Sequence, residues 1–493
     1  MSIDSSELTS RLQSVLNDSA ISQSASDINA YRLSTPVTDS GIAPSLIVRP
    51  ANPDELQKLI RLANERGLNL TVASSTGNHH RGGFAASKAS VLIDLSSWKN
   101  IPWINRRNRV CMIEPGVTYA ELLQALEPHG LTVPAPLSPR RGKSVVASIM
   151  DREPSTWPNR QWDSGDPVAS TEFVFGNGEL FRTGAAGGPG TLDQQRAAGG
   201  AQKSPAGPSQ TDFHRVIQGS QGTMGVVTWI TMRAELRPTV QKPFLVGADS
   251  LAELLPFIYE VQRPCLGEHS FVLDSTAAAT LMSATRHEPL HIVRGTLPKY
   301  ICLQNIAGFE RLPDERIKYQ QQDIETIAQR HHLSLTPSLG LLSAKDFLKT
   351  ATTPCGEVDW RCRLKGNCVS VFFLTTLDRV PSFVDIFGKL AARHHVDEES
   401  IGCYIQPVVQ NHACHVEFMC MFDPTADHEV DALRNLEKDA VPELAQAGAY
   451  FSRPYGSAAD VVFEQNPLNL EVLKKVKTIF DPNRVLNDGK WGL

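Results

Sequence analysis

The chain has 493 residues, 41% hydrophobic and 20% charged, with 48 Lys and Arg against 53 Asp and Glu for a formal net charge of −5. This composition excludes disorder and fibrous structure, and it offers no basic field to hold a nucleic-acid backbone, so nucleic acid is not an expected partner. No apolar run approaches the ~20 residues of a membrane span, and the start Met-Ser-Ile-Asp-Ser-Ser-Glu carries acid where a secretory leader carries base.

In chain order, Leu46–Arg49 reads as a strand. A helix opens at Pro53-Asp54-Glu55, where proline sacrifices no hydrogen bond and acids face the positive helix end, and it stops at Gly67. Strands at Leu70–Ala73 and Val91–Leu95 flank a polar glycine loop. Two short apolar runs lie around Ile101–Ile104 and Val110–Glu114. Thr118-x-x-Glu121 then fits a capping box, starting a helix that ends at Gly130. Past a Pro-, Arg- and Ser-rich stretch at 136–166, Val168–Phe175 and Glu179–Arg182 flank Gly176-Asn177-Gly178, a hairpin signal because Asn-Gly accommodates positive φ. Residues 184–211 hold almost no large apolar side chains and are expected to form a surface loop or lid rather than an element. Gly219–Gly225 leads into a strand at Val226–Met232, and Pro238 and Pro243 mark a boundary. Beyond it, strands at Phe271–Leu273, Tyr300–Asn305, Val369–Leu374, Ile401–Val409 and His415–Met421 alternate with helices at Leu251–Val261, Asp314–His331, Pro381–His395 and His428–Glu437. The pattern predicts an α+β fold whose second half is an antiparallel sheet with helices on one face. Leu470–Phe480 reads as a helix without a sheet of its own, expected to pack back on the first half.

The loop Ser74–Gly83 lies between two strands, and its small residues let successive backbone N–H groups face one anion. Gly77 and Gly82 have the P-loop separation, but Gly83-Phe84 stand where Lys and Ser or Thr must reach phosphate and magnesium. No Gly-x-Gly-x-x-Gly opens a helix after a strand, which argues against a Rossmann site. Taken alone the loop reads as a plain turn before it reads as a cofactor cradle.

Six segments in fixed order change that reading: the 74–83 loop with Val91–Leu95, Ile113–Leu122, Ser144-Val145-Val146, Gly178–Gly184, Gly219–Thr228 and Phe480–Lys490. Together they resemble, over nearly the whole length, the flavoproteins that include vanillyl-alcohol oxidase, p-cresol methylhydroxylase and the glycolate and D-lactate dehydrogenases. The resemblance implies an N-terminal extension at 1–39 and a PCMH-type FAD-binding domain of two α+β subdomains at 40–240. It implies an α+β cap domain with an antiparallel sheet at 241–446 and a C-terminal return to the FAD domain at 447–493. It assigns Ser75, Thr76, Gly77, Asn78 and His79, with Ser144 and Ser148, to the FAD pyrophosphate and ring edge. Gly222, Gly225 and Val227 fall on the adenine side. These segments hold no Lys or Arg clamp beyond Arg81, so oriented amides and hydroxyls would neutralise the diphosphate.

For chemistry, His415 and Glu417 share one strand face by period two. In the vanillyl-alcohol oxidase branch a cap histidine is bonded to the flavin, and His415 aligns with it to within one residue. It reads either as that covalent attachment or as a hydrogen-bonded histidine beside the pocket, with His79 a second candidate for attachment. Arg453, in Tyr450–Gly456, resembles the arginine that phenol-oxidising members place on the phenolate, and its permanent planar charge suits phenolate or carboxylate. Here Ser452 stands where the family has tyrosine. The 74–83 loop lacks a phenolate-binding tyrosine, and Pro139-Arg140-Arg141 occupy the region expected to hold an acid facing the flavin, so a para-hydroxyphenyl substrate is not directly supported. Arg140 and Arg141 read as a solvated basic turn, with an anion anchor as the alternative.

His415, His79, Glu417 and Tyr455 are candidates for base or orienting group. Cys355, Cys362 and Cys368 lack Cys-x-x-Cys pairs, so no metal is expected, and nine cysteines, an odd number, suit free thiols in the cytoplasm. His331-His332 and His394-His395 close helices and read as surface caps, and Trp157–Trp162 as a packed loop or pocket entrance. The expected function is FAD-dependent oxidation of a small alcohol or phenol-derived substrate by hydride transfer. The alternatives are a D-2-hydroxy-acid dehydrogenase passing electrons to a separate carrier, and a flavin- or ligand-binding protein without turnover. Expected partners are a small-molecule substrate and an electron-acceptor protein or quinone, and the resemblance admits a homodimer.

Overall fold

The helix Pro53–Arg66 forms where its signals place it. Asn52 Oδ1 accepts from Glu55 N at 2.9 Å, Pro53 fills the first turn, and Gly67 closes the last in the left-handed region at φ 64°. Its Leu56, Leu59, Ile60 and Ala63 face is buried on a sheet in which Val91–Asp94 lies between Leu46–Val48 and Leu70–Ala73, all parallel. In this computed structural model, which describes residues 5–31, 42–77, 86–160, 167–200, 202–208, 213–283, 289–408 and 412–493, Ile21–Ser22 adds an antiparallel edge beside Leu46–Val48. Leu12 and Leu16 enter the same core, so the N-terminal stretch is built into this sheet rather than appended to it.

Thr118 caps Tyr119–Leu126 through the expected reciprocal box with Glu121, and Gly130 at φ 62° ends the following turn. This helix and Val145–Met150 pack on a second, antiparallel sheet in the order Trp103–Asn105, Val110–Ile113, Gly225–Arg233, Val168–Phe175, Leu180–Arg182. The hairpin after Phe175 forms with Gly178 at φ 82°. Residues 184–211 depart from the loop expectation. Gly184–Gly187 is a short 3-10 turn and Leu192–Ala197 a helix, started by a Thr191–Gln194 capping box that was present in the sequence.

The third sheet has six antiparallel strands in the order Val240–Ala248, Tyr300–Gly308, His269–Asp274, Ile401–Val408, Ala413–Phe422, Asn367–Thr375. Helices Leu251–Gln262, Pro313–Arg330, Val380–Arg393 and Asp427–Gln446 cover one face, where Phe257, Phe383, Phe387 and Phe418 are almost fully buried. Each such ring contributes roughly 2–3 kcal/mol by burial. The last helix runs past the expected stop at Glu437 because Ala440, Val441 and Leu444 continue its buried stripe.

The helix Pro467–Phe480 returns to the second sheet, where Phe480 stacks on Phe175 at 4.2 Å between centroids. Lys477, 1% exposed, donates from Nζ at 2.8 Å to the carbonyls of Thr223 and Leu486 and to Asp481 Oδ2. Asp481 in turn accepts from the amides of Val485 and Leu486. His331 and His394 do more than cap their helices: their Nε2 atoms meet Glu260 at 2.8 Å and Asp439 at 2.9 Å on neighbouring helices. None of the nine cysteines is in a disulfide; Cys362 and Cys368 are buried core groups and Cys355 is half-buried.

Candidate active site

The segment after Leu70–Ala73 is strapped to residues 140–144. Ser144 N donates to Ser75 Oγ at 3.0 Å, Ser74 Oγ to Ser144 Oγ at 3.1 Å, and Thr76 N to Gly142 O at 3.0 Å. Gly142 is required here, since a Cβ would sit 2.4 Å from Thr76 Oγ1. An open cavity of about 1610 Å³ begins at Val72–Ser75, passes Pro115 and Val146–Ala147, follows Ser220–Val227, and ends under the six-stranded sheet. Most of its first part is walled by small side chains and main chain, and space stays open around Gly222 at φ 76°. Three buried polar atoms on its wall, Ser138 Oγ, Gln221 Oε1 and Arg453 Nη2, have no hydrogen-bond partner among the described residues. Buried polar groups are normally satisfied, so these await a polar occupant. A long cleft of this kind, mostly apolar with a few convergent polar groups, fits FAD.

Its far end is charged and aromatic. Arg361 grips Glu417 with two parallel bonds, Nε to Oε1 and Nη2 to Oε2, each 2.9 Å, and its Nη1 lies 3.4 Å from Asp359 Oδ1. Burial alone would lower the Arg361 pKa, but the carboxylates of Glu417 and Asp359 outweigh it and hold the guanidinium above its ordinary value. His415 Nε2 stands 3.7 Å from Glu417 Oε2, with the rings of Tyr404 and Phe372 at 5.7 and 5.9 Å. Arg453, 5% exposed, lies over the Phe372 ring at 4.3 Å, and its Nη1 is 3.4 Å from Asp151 Oδ2. The Tyr455 hydroxyl donates to Asp151 Oδ1. Asp151 is placed by Val145–Met150, which it ends as C-cap.

The structure therefore brings Arg453, His415, Glu417 and Tyr455 to one cavity end, and Ser75, Gly222, Gly225 and Val227 to its walls. It turns others away. Ser144 Oγ is committed to Pro115 O and the Ala147 amide, and Ser148 Oγ to Glu153 Oε2, so neither hydroxyl faces the cleft. Thr76 and Gly77 sit just behind the wall, and Asn78, His79 and Arg81 lie outside the described residues. Arg140 is not a solvated turn: it is 6% exposed, donates to Thr76 O and lines the cavity, and burial pulls its pKa down. Arg141 is exposed. An acid does line the cavity, but it is Asp151 rather than a residue of 139–141. Asp151, Arg361, Asp359 and Tyr404 went unread in the sequence because their partners are 302 and 56 residues away for Asp151 and Arg361. The one signal was an Asp directly after the Ser144–Met150 segment.

Residues 44–184 match the FAD binding domain family. D-2-hydroxyglutarate dehydrogenase of Stutzerimonas stutzeri is 22% identical over 489 residues, covering 98% of each chain. Among solved structures, a 4-ethylphenol oxidase from Gulosibacter chungangensis in complex with isoeugenol superposes with TM-score 0.83 at 17% identity, covering 100% of this chain and 98% of that one. Substrate-bound p-cresol methylhydroxylase gives the same TM-score and coverage at 16% identity. The chain is thus an FAD-dependent oxidoreductase. The FAD binding domain at 44–184 and a fold shared with these two structures agree with what the six ordered segments implied.

Proposed function

We propose that the protein oxidises a small phenol-derived alcohol, with the unpartnered Arg453 Nη2 as the anchor for the phenolate oxygen. That buried, unsatisfied donor is the observation on which the reading rests. A guanidinium held on Phe372 and turned partly toward Asp151 still has a free edge for one anionic oxygen, and a desolvated cation there favours phenolate over phenol. Tyr404, His415 and Tyr455 supply aromatic walls for a flat ring. FAD, once bound, supplies the two-electron acceptor for a hydride from the substrate carbon. Asp151, steadied by the Tyr455 hydroxyl, takes the O–H proton, so the alcohol leaves as the aldehyde. Glu417 is a poor base because both its oxygens are held by Arg361; it fixes the wall, and His415 is proposed as the flavin attachment point. Ser75, Gly222, Gly225 and Val227, with Asn78 and His79, are proposed to hold FAD. The FAD domain is proposed to span 40–240 with the return at 447–493, and the cap 241–446.

The test is anaerobic mixing of FAD-loaded protein with 4-hydroxybenzyl alcohol, 4-alkylphenols, D-lactate and D-2-hydroxyglutarate. Bleaching of the yellow colour by the phenolic compounds alone is expected. Bleaching by the hydroxy acids alone would replace this reading with a D-2-hydroxy-acid dehydrogenase. That second reading is favoured by the full-length relative and by the same Arg453, which suits a carboxylate equally well. No bleaching by any of them would leave a binding protein without turnover. Reoxidation of the reduced sample by oxygen, a quinone or a carrier protein then identifies the electron acceptor.

A further inference from the structure

A second cavity, about 1370 Å³, opens on another side of the contact between the FAD-binding half and the six-stranded sheet. Its mouth carries the exposed Gln124, Glu127, Arg237 and Thr239. Its floor is the Trp157 stretch that the sequence set apart, joined to the strand His269–Asp274. Trp157 Nε1 can only donate, and it lies 2.9 Å from His269 Nε2, so that nitrogen is an acceptor. The ring proton therefore sits on Nδ1 and is given to Thr156 Oγ1 at 2.9 Å. Burial pushes the His269 pKa down to about 3, in keeping with a neutral ring whose two nitrogens are both used. His269 is framework, and Thr156 keeps its own hydroxyl proton to donate.

Next to it stands Glu268. Its amide donates to Asn305 O at 2.8 Å, which fixes the main chain, while its Oε2 is buried with no hydrogen-bond partner among the described residues. Burial pushes this carboxyl up to about 8. The groups around it do not neutralise it. A side-chain bond to Gln241 is neutral, Glu235 repels it, and Arg160, which attracts it, is engaged with Glu235 at 3.0 Å. Glu127 and Arg237 pair with each other, and His269 is neutral. Among the described residues the wall thus holds one acid without a counter-ion, set among hydroxyls and amides, the inverse of an anion site.

We propose that this cavity is a second ligand site, for a small organic cation such as a primary ammonium or guanidinium on a short polar body, with Glu268 as its counter-ion. The cation supplies the donor that Oε2 lacks, and the hydroxyls and amides of Thr156, Thr239, Gln124 and Gln241 suit a hydroxyl or amide on the same molecule. Since Ser270 N donates to Thr156 O across the same contact at 3.2 Å, an occupant here would clamp the two halves of the molecule.

The test is calorimetric titration of the FAD-loaded protein with ethanolamine and with methylguanidine, and with ethylene glycol as the neutral control, at pH 7 in two buffers of different ionisation enthalpy. One-to-one binding of the cations but not the glycol is expected. Because a carboxyl of pKa about 8 is mostly protonated at pH 7, binding should release nearly one proton, and almost none at pH 9. Glu268→Gln should weaken binding at least tenfold while flavin absorbance, substrate bleaching and melting at pH 4 stay as in wild type. Absence of cation binding, equal binding by Glu268→Gln, or binding without proton release at pH 7 would each overturn the proposal. An altered flavin spectrum in Glu268→Gln would also count against it, because it would place the effect in the other cavity.

Discussion

The two cavities border the same junction and carry opposite defects. At one, a buried guanidinium has a donor to spare; at the other, a buried carboxyl has an acceptor to spare. Each cavity also carries a matched pair, Arg361 with Glu417 and Arg237 with Glu127. An unmatched polar atom inside an otherwise neutral wall thus tells the sign of the missing occupant, which burial or residue type alone does not.

The sharpest way to break this comparison is at Asp151. Asp151→Asn keeps the shape but removes the proton acceptor, and kcat is expected to fall about 10³-fold with little change in KM. An unchanged kcat would remove Asp151 from the chemistry. Arg453→Lys keeps a charge but loses the planar fork; about 10²-fold in kcat/KM should be lost, mostly through KM, in stopped-flow bleaching.

Arg361→Met removes the guanidinium that holds both oxygens of the buried Glu417, and chemical denaturation should show a loss of about 3 kcal/mol, partly recovered in Arg361→Met/Glu417→Leu. A double variant no better than the single would mean that the pair is not coupled.

Glu268 gives a smaller, pH-dependent effect. Its folded pKa, about 8, lies above the ordinary 4.5, so the protonated form is the favoured one in the fold. Its contribution is complete below about pH 4 and is lost as pH rises toward 8 and beyond. Relative to wild type, Glu268→Gln should therefore gain about 2 kcal/mol between pH 5 and pH 9, discounted for the carboxyl's residual exposure. Parallel stability profiles would show that Glu268 titrates normally. The smallest change is expected at the flavin bond. Acid precipitation should carry the yellow colour into the pellet for wild type and release it for His415→Ala, and colour released from wild type would dismiss the linkage.

Local rules made much of the fold legible. The helix at Pro53–Arg66, the Thr118 box and the hairpin at Asn177-Gly178 are specified by residues within one turn of the feature they form. At the site, Arg453, His415, Glu417 and Tyr455 could be picked out because each sits in a segment with recognisable neighbours. Asp151, Arg361 and Glu268 could not. What makes each unusual is the company it keeps in three dimensions, and such pairings leave no periodic mark in a chain. Ser144 and Ser148 illustrate the opposite difficulty: a serine suited to a phosphate is equally suited to a helix cap or a neighbouring carboxylate, and here the hydroxyls serve those uses.

The tie from Lys477 to the Thr223 carbonyl has a consequence for biosynthesis. The loop at 220–227 is braced by a side chain made some 250 residues later, so a ribosome must pass Lys477 before that loop acquires its support. Flavin loading is therefore expected only after Lys477 has been made. Stalled nascent chains ending before Pro467 should bind no flavin, whereas released full-length protein should; flavin capture on the stalled chains would show that the brace is dispensable.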